Sequence, residues 1–281
     1  KRRITDKKTL KRIANMRIPP AYNKIKISKK ANDKVQAIGV DEAGRKQYVY
    51  SQNHIEKKRI LKYCNLIDFI KVIPKIRKDI EKRLKSPTMS KDKLIAILLN
   101  IIIICSFRIG TEGHRIKYNS QGISTVTKKE LKIGNKNIII DFIGKKQVRN
   151  TCKITDVRLV KLLKDLYKRS NRNDNMFQYG GAKVNIIDVN NYLKSFNEKI
   201  TSKVFRTWLA NTKFIDKIIP YTKNTSLDSE NKRVKLVREI KKEIASEMHH
   251  TVAICSKSYL IKELIDVFIE KPEIFKKRIT N

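Results

Sequence analysis

The stretch Leu94 to Cys105 is the longest apolar run in a chain where a third of the residues are charged. It is interrupted only by Asn100. It falls short of the roughly 18–20 residues that a membrane span needs. An element that is apolar all round must be buried on all sides, so the run reads as a central helix, with Ser90 placed to cap its start. Other elements then have to be built around it. With 281 residues, 40% of them hydrophobic, the chain can do this as one large or two ordinary domains. That balance is globular rather than disordered.

The segment before it, up to about His54, is short and strand-like. Ile25-Lys26-Ile27 alternates, and Pro19-Pro20 blocks a helix locally. Asp41-Glu42-Ala43-Gly44 has the composition of a hairpin turn, and Gln47-Tyr48-Val49-Tyr50 that of a strand. From Glu56 the pattern is helical, with apolar residues at Ile60, Leu61, Leu66, Ile67 and Ile70. Pro74 is expected to end or kink that helix. A boundary near Lys57 therefore separates a small N-terminal β domain (1–57) from a larger domain (58–281).

After the apolar helix comes a three-strand meander: Leu131 to Ile133, Ile138 to Phe142 and Val148 to Lys153. Its turns are at Gly134-Asn135 and Gly144-Lys145-Lys146. Thr155 is expected to cap a helix running to Lys168. Further helices are expected over Ile186 to Glu198, Ser202 to Ile218, Asp228 to Met248 and Ser256 to Glu270, with Pro272 after the last. The fold class is α+β, a small antiparallel β domain followed by a mostly helical domain that carries a small meander.

Lysine and arginine number 65 against 27 acidic residues, a net charge of +38. Such an excess repels itself and is most simply offset by a polyanion, of which nucleic acid is the commonest. An anionic membrane surface is the rival, and AT-rich coding accounts for part of the lysine. Cys64, Cys105, Cys152 and Cys255 are far apart in sequence, with no Cys-x-x-Cys pair, so neither a zinc knuckle nor a disulfide framework is expected. No signal peptide is expected, and the protein is expected to be soluble and intracellular. The chain starts at Lys1 without a methionine, so its natural start is expected to lie further upstream.

Several residues can carry phosphoryl chemistry, which needs positioning and charge neutralisation above all. Arg108, in Ser-Phe-Arg-Ile-Gly, follows the apolar helix; a cation there also suits the helix dipole. Arg206 lies in Lys203-Val-Phe-Arg-Thr-Trp beside the only tryptophan. Helical spacing turns Phe205, Trp208 and Leu209 to a core and puts Lys203 and Arg206 on a neighbouring face, which an amphipathic helix would simply solvate. Lys145 tips a hairpin, where charged residues are common, and can donate a proton to a leaving oxygen. His250 or His249 can donate a hydrogen bond to phosphate, although a lone histidine is more often structural. Tyr259 offers a phenolic nucleophile, although most tyrosines are packing residues. No Walker motif, dinucleotide fingerprint or metal-ligand spacing occurs, so no cofactor and no metal are expected. In the N-terminal region, Gly44-Arg45-Lys46-Gln47-Tyr48-Val49-Tyr50 interleaves cations with aromatics, and Gln47 can pair with adenine edges. Tyr48 and Tyr50 share one face of that strand.

In order, these motifs resemble those of the type IB DNA topoisomerases, especially the small poxvirus-like and bacterial-like members. Ile18-Pro-Pro-Ala-Tyr and Gly44-Arg-Lys-Gln-Tyr-Val-Tyr look like the family's N-terminal β domain. Arg108-Ile-Gly looks like the first arginine motif, Phe142-Ile-Gly-Lys like the lysine hairpin and Phe205-Arg-Thr-Trp like the second arginine motif. His250 through Ser256-Lys-Ser-Tyr looks like the closing segment, and its gapless spacing selects His250 over His249.

The resemblance implies a monomer that clamps double-stranded DNA and relaxes supercoils without ATP or metal. Tyr259 would form a 3′-phosphotyrosyl bond and Lys145 would protonate the departing 5′ oxygen. Arg108, Arg206 and His250 would stabilise the phosphorane, with Arg108 also assisting proton transfer. Arg45, Gln47, Tyr48, Tyr50 and Gly110 would contact DNA. It also implies work inside the cell, beside the DNA: in a virion or viral factory if the source is viral, in a nucleus or nucleoid otherwise. Richness in Ile, Lys and Asn fits a large DNA virus with an AT-rich genome. Thr111 and His114 stand where poxvirus enzymes carry a base-reading lysine and a DNA-contacting tyrosine, which argues against poxvirus-type site specificity. The N-terminal region is also shorter than in those enzymes. A tyrosine recombinase shares the His-to-Tyr spacing but usually carries His-x-x-Arg where this chain has Lys203-x-x-Arg206. A non-catalytic basic nucleic-acid-binding protein is the remaining alternative.

Overall fold

The Asp6 carboxylate accepts from the Thr9 amide and starts a helix, α1 (Lys7–Asn15), where only strand-like structure was expected. The computed structural model describes residues 3–223 and 228–280. It divides into two units, Lys1–Cys64 and Asn65–Asn281. In the first, β1 (Asn23–Ile27), β2 (Val35–Val40) and β3 (Lys46–Tyr50) form an antiparallel sheet in that order. The β2–β3 hairpin turns at Asp41 to Arg45, with Gly44 at φ +73°. The interior of this unit is partly polar. The buried Gln36 amide donates to the carbonyls of Lys30, Ala31 and Asp33 and accepts from Arg12 of α1. This is how a helix with no buried residue of its own is tied down.

The division between the units falls inside α2 (Gln52–Lys85), which runs unbroken through Pro74 rather than ending there. Pro74 and Ile70 are both exposed, so water can reach the Ile70 carbonyl that the proline leaves without a donor. Ile73 and Ile76, buried on either side, hold the helix to the core. The buried stripe is Leu66, Phe69, Ile73, Ile76, Ile80 and Leu84, whereas Ile60, Leu61, Ile67 and Ile70 are exposed.

The apolar run becomes α3 (Lys91–Cys105), capped by Ser90 as expected and buried along nearly its whole length. Each buried Leu or Ile there contributes about 1.5–3 kcal/mol, which makes α3 the post around which the second unit is assembled. A short helix, α4 (Glu112–Tyr118), follows. The meander β4 (Leu131–Ile133), β5 (Ile138–Ile143) and β6 (Arg149–Ile154) pairs antiparallel in the expected order. Cys105 and Cys152 are joined by a disulfide, contrary to the expectation of none. Their separation of 47 residues hid a contact that arises only when the last turn of α3 packs on β6.

The cap of α5 (Val157–Arg169) is Asp156, not Thr155: its carboxylate takes the Leu159 amide. A two-strand hairpin, β7 (Gln178–Tyr179) and β8 (Ala182–Lys183), turns at Gly180-Gly181, both in the left-handed region. α6 (Ile186–Lys194) is shorter than expected, α7 (Ser202–Ile218) has the expected bounds, and α8 (Glu230–Glu247) follows.

The expected helix Ser256 to Glu270 is broken. A short α9 (Val252–Ile254) runs into a π turn over Cys255–Tyr259. Leu260 and Ile261 are extended, and α10 (Lys262–Glu270) then begins. Pro272, expected only to follow the last helix, opens α11 (Pro272–Thr280), the position at which proline is tolerated. One apolar cluster gathers α2, α3, the meander, α5, α6 and the start of α7. A second gathers the rest of α7 with α8, the π turn, α10 and α11, and Trp208 packs against both. Among the described residues, no helix is long and apolar enough to cross a membrane.

Candidate active site

The Tyr259 hydroxyl is reached by two guanidinium groups from distant parts of the chain. Arg206 Nε lies 3.3 Å from it and an Arg108 terminal nitrogen 3.4 Å. The Arg206 guanidinium also sits 5.1 Å from the centre of the Tyr259 ring. On its other side the ring stacks on His250, with centroids 5.0 Å apart and planes 7° from parallel. Four of the expected residues are thus in one place.

Arg206 is 5% exposed, so the solvated basic face that helical spacing allowed for it is not formed. It donates to the Ser106 carbonyl and, at 2.7 Å, to the Met248 carbonyl. Those carbonyls end α3 and α8, where backbone acceptors are left over. Three of its N–H groups are therefore engaged, and the remaining ones are available to another acceptor. Burial, and then repulsion from Arg108, bring its pKa down to about 10. Among the described residues no carboxylate pairs with Arg108 or Arg206. A buried cation without a counter-ion is costly, and an anion binding there would relieve that cost.

Arg108 is placed by the left-handed Ser106 (φ 56°) that caps α3 and by the Ile123 amide, which donates to the Arg108 carbonyl at 2.9 Å. Gly110 and Gly122 pack backbone to backbone: a Cβ on Gly122 would lie 2.2 Å from the Gly110 nitrogen. Gly110, expected to meet DNA, donates its amide to Ser124 Oγ.

Tyr259 closes the π turn, and Asn211 of α7 holds that turn open. Its amide donates to the Tyr259 carbonyl at 3.0 Å while its oxygen accepts from the Ile261 amide at 2.9 Å. Asn211 was missed in the sequence. The signal was its place on the stripe Thr207, Asn211, Phe214 and Ile218, a buried polar residue at helical spacing. Burial opposes ionisation of the Tyr259 phenol, but the charges of Arg206 and Arg108 outweigh it and hold its pKa below the usual value.

His250 has both ring nitrogens buried without a well-formed hydrogen bond. Desolvation, then Arg206 and Arg108, push its pKa down to about 4. The folded chain keeps neutral a ring that an unfolded chain would protonate near pH 6.5. Its contribution to stability is therefore whole above about pH 6.5 and is lost as pH falls towards 4. An NMR titration is expected to find the His250 ring neutral down to about pH 4. A midpoint above 6 would mean that the ring is solvated.

Lys145 stands at the tip of the β5–β6 hairpin, exposed, and no hydrogen bond, ion pair or ring contact joins it to the other four residues. Lys146 and Gln147 beside it are left-handed, and the Gln147 amide donates to the Tyr118 carbonyl of α4 at 2.9 Å. In the first unit, Tyr48 and Tyr50 project together from β3, 46% and 40% exposed, with rings 6.2 Å apart. Gln47 points to the other face and donates to Asp41, which also binds the Arg45 guanidinium at 2.8 Å.

Residues 51–280 match the family described as eukaryotic DNA topoisomerase I, catalytic core. Residues 1–41 match bacterial DNA topoisomerase IB, N-terminal domain. The chain is 32% identical to the DNA topoisomerase 1B of Acanthamoeba polyphaga mimivirus, over 95% of this chain and 82% of that protein. It is 24% identical to the DNA topoisomerase 1B of vaccinia virus (strain Copenhagen), over 83% of this chain and 72% of that protein.

Proposed function

The chain belongs to the type IB DNA topoisomerase family, and we propose that Tyr259, Arg108, Arg206, His250 and Lys145 carry its cleavage chemistry. The observation behind this reading is the pair of guanidinium groups on the Tyr259 hydroxyl, drawn from segments 151 and 53 residues away. Members of this family relax duplex DNA by cutting one strand through a 3′-phosphotyrosyl link.

The phenolic oxygen of Tyr259 attacks the phosphorus. The P–O5′ bond breaks, and the 3′ phosphate stays on the protein. The phenol gives up its proton to water, helped by the two cations beside it, and Lys145 gives its own proton to the departing 5′ oxygen. Arg108 and the spare N–H groups of Arg206 bind the nonbridging oxygens as charge builds on them. The neutral His250 ring donates a further hydrogen bond. The cut strand swivels, and the 5′ hydroxyl attacks back. The bond energy is kept in the covalent link, so resealing needs no nucleotide. Duplex DNA also meets Arg45, Gln47, Tyr48 and Tyr50 of the N-terminal region, and Gly110, two residues after Arg108 in the first arginine motif. The protein works as a monomer, wherever the DNA it relaxes is held.

Lys145 is the assignment whose side chain lies outside the assembled cluster, and its test is specific. Lys145→Ala is expected to slow single-turnover cleavage by about 10²–10⁴-fold. A 5′-bridging phosphorothiolate, whose sulfur leaves without a proton, is expected to restore most of the rate. Failure of that rescue removes Lys145 as the acid.

A further inference from the structure

The groups of the proposed site come from segments that chain connectivity does not hold in register. Arg108 follows α3, Lys145 tips the β5–β6 hairpin and His250 follows α8. Each of these segments also carries a ring within three residues of its functional group: Phe107, Phe142 and His249. The three rings meet. Phe107 and Phe142 are edge to face, with centroids 4.9 Å apart and planes at 65°. Phe107 and His249 are 5.3 Å apart at 33°. Phe107 is 1% exposed and Phe142 4%. The His249 ring also lies against the Cys105 backbone, at the end of α3.

His249 is the left-handed residue that closes α8: its φ is +54°, its amide donates to the Ser246 carbonyl and the His250 amide to the Ala245 carbonyl, both at 3.0 Å. Glycine is the usual residue at such a cap, because a Cβ disfavours the left-handed backbone. The His249 imidazole is moreover desolvated, and its pKa is lowered by burial first and then by Arg206 and Arg108. The chain bears both costs at the residue next to His250, and the ring so placed rests on the residue next to Arg108.

We propose that His249, Phe107 and Phe142 are positioning residues, forming an aromatic bridge that holds the segments carrying His250, Arg108 and Lys145 in register. Phe107 is its centre, touching one ring on each side. The proposal rests on the assignment of those three groups to the chemistry. Its leverage is short. A displacement of roughly 1 Å in a reacting group is enough to cost about 10²-fold, and each ring is one to three residues from the group it places.

The test measures single-turnover cleavage of a duplex at a mapped site, with an ordinary or a 5′-phosphorothiolate linkage, together with DNA affinity and Tm. His249→Gly is expected to slow both linkages by about 10-fold, because Arg108 and His250 act on the phosphorane whichever atom leaves. Its Tm is expected to hold or rise, because glycine relieves the left-handed backbone. Phe142→Leu is expected to slow the ordinary linkage by about 10-fold and the phosphorothiolate by no more than about 2-fold, with DNA affinity unchanged.

Wild-type rates in His249→Gly, or a loss of rate that only follows a fall in Tm, would overturn the bridge. So would an equal slowing of both linkages in Phe142→Leu while Lys145→Ala is rescued. If Lys145→Ala itself is not rescued, the acid assignment has failed instead. The bridge then stands or falls on His249→Gly, which does not depend on the leaving group.

Discussion

Tyr259→Phe is expected to abolish relaxation of supercoiled plasmid in EDTA without ATP, under conditions where the wild type relaxes it fully. Only the wild type is expected to leave a covalent protein–DNA adduct when the reaction is stopped with detergent. Removing a nucleophile from a site whose other parts stay in place costs on the order of 10⁴–10⁶-fold, which in a plasmid assay is a complete loss. The substitution is a clean one because it removes a single oxygen. The phenylalanine ring can still stack on His250 and lie beneath Arg206, as the tyrosine ring does at 5.0 and 5.1 Å. The hydrogen bonds lost are the long ones, at 3.3 and 3.4 Å. A hydrogen bond of ordinary geometry contributes about 0.5–1.5 kcal/mol, so Tm should move little. Relaxation by the mutant at the wild-type rate would remove Tyr259 as the nucleophile, and a non-catalytic DNA-binding role would then have to be considered.

Arg206→Lys is the second large effect expected, and it separates charge from geometry. Lysine keeps the positive charge but concentrates its donors on one nitrogen, whereas the guanidinium spreads them over a planar fork. Arg206 serves the Ser106 and Met248 carbonyls and the Tyr259 hydroxyl from separate nitrogens. One ammonium cannot reach all of these and a phosphate as well. Cleavage is expected to slow by about 10²–10³-fold, the usual loss for removing one preorganised donor to a developing charge. Affinity for DNA should change far less, because many other cations contribute to it. Leaving one buried carbonyl unsatisfied costs about 1–3 kcal/mol, so a lower Tm is expected as well. A cleavage rate within about threefold of wild type would mean that Arg206 acts on the fold and not on the phosphorane.

Those two substitutions probe residues that were legible in the sequence as residue types but not as a site. Arg108 and Arg206 each had a plain alternative, a helix-dipole charge and a solvated basic face. Spacing along one helix could not decide between them. Their order along the chain, with Lys145, His250 and Tyr259, carried the resemblance to the family. Asn211 escaped notice, and His249 was weighed only as an alternative to His250, because the role of each is set by what lies across from it: the Tyr259 and Ile261 backbone for one, Phe107 for the other.

Local patterning determined α3, α7 and the meander, because their signals are short-range: an unbroken apolar run, a 3.6-residue period, and turn residues between alternating strands. The net charge of +38 is likewise a property of composition alone, and by itself it points to a polyanion. Tertiary contact decided what no such pattern encodes. Pro74 stays within a helix because core contacts on either side outweigh the lost hydrogen bond. Cys105 finds Cys152 because α3 ends against β6. The last expected helix gives way to a π turn because the Asn211 side chain takes the backbone groups that would have continued it. Arg206 becomes a buried cation, and Tyr259 a phenol with a lowered pKa, only where the ends of α3 and α8 bring their carbonyls to one guanidinium. Charge and periodicity are properties of residues in sequence. Burial and the partners of a buried charge exist only once distant segments have met.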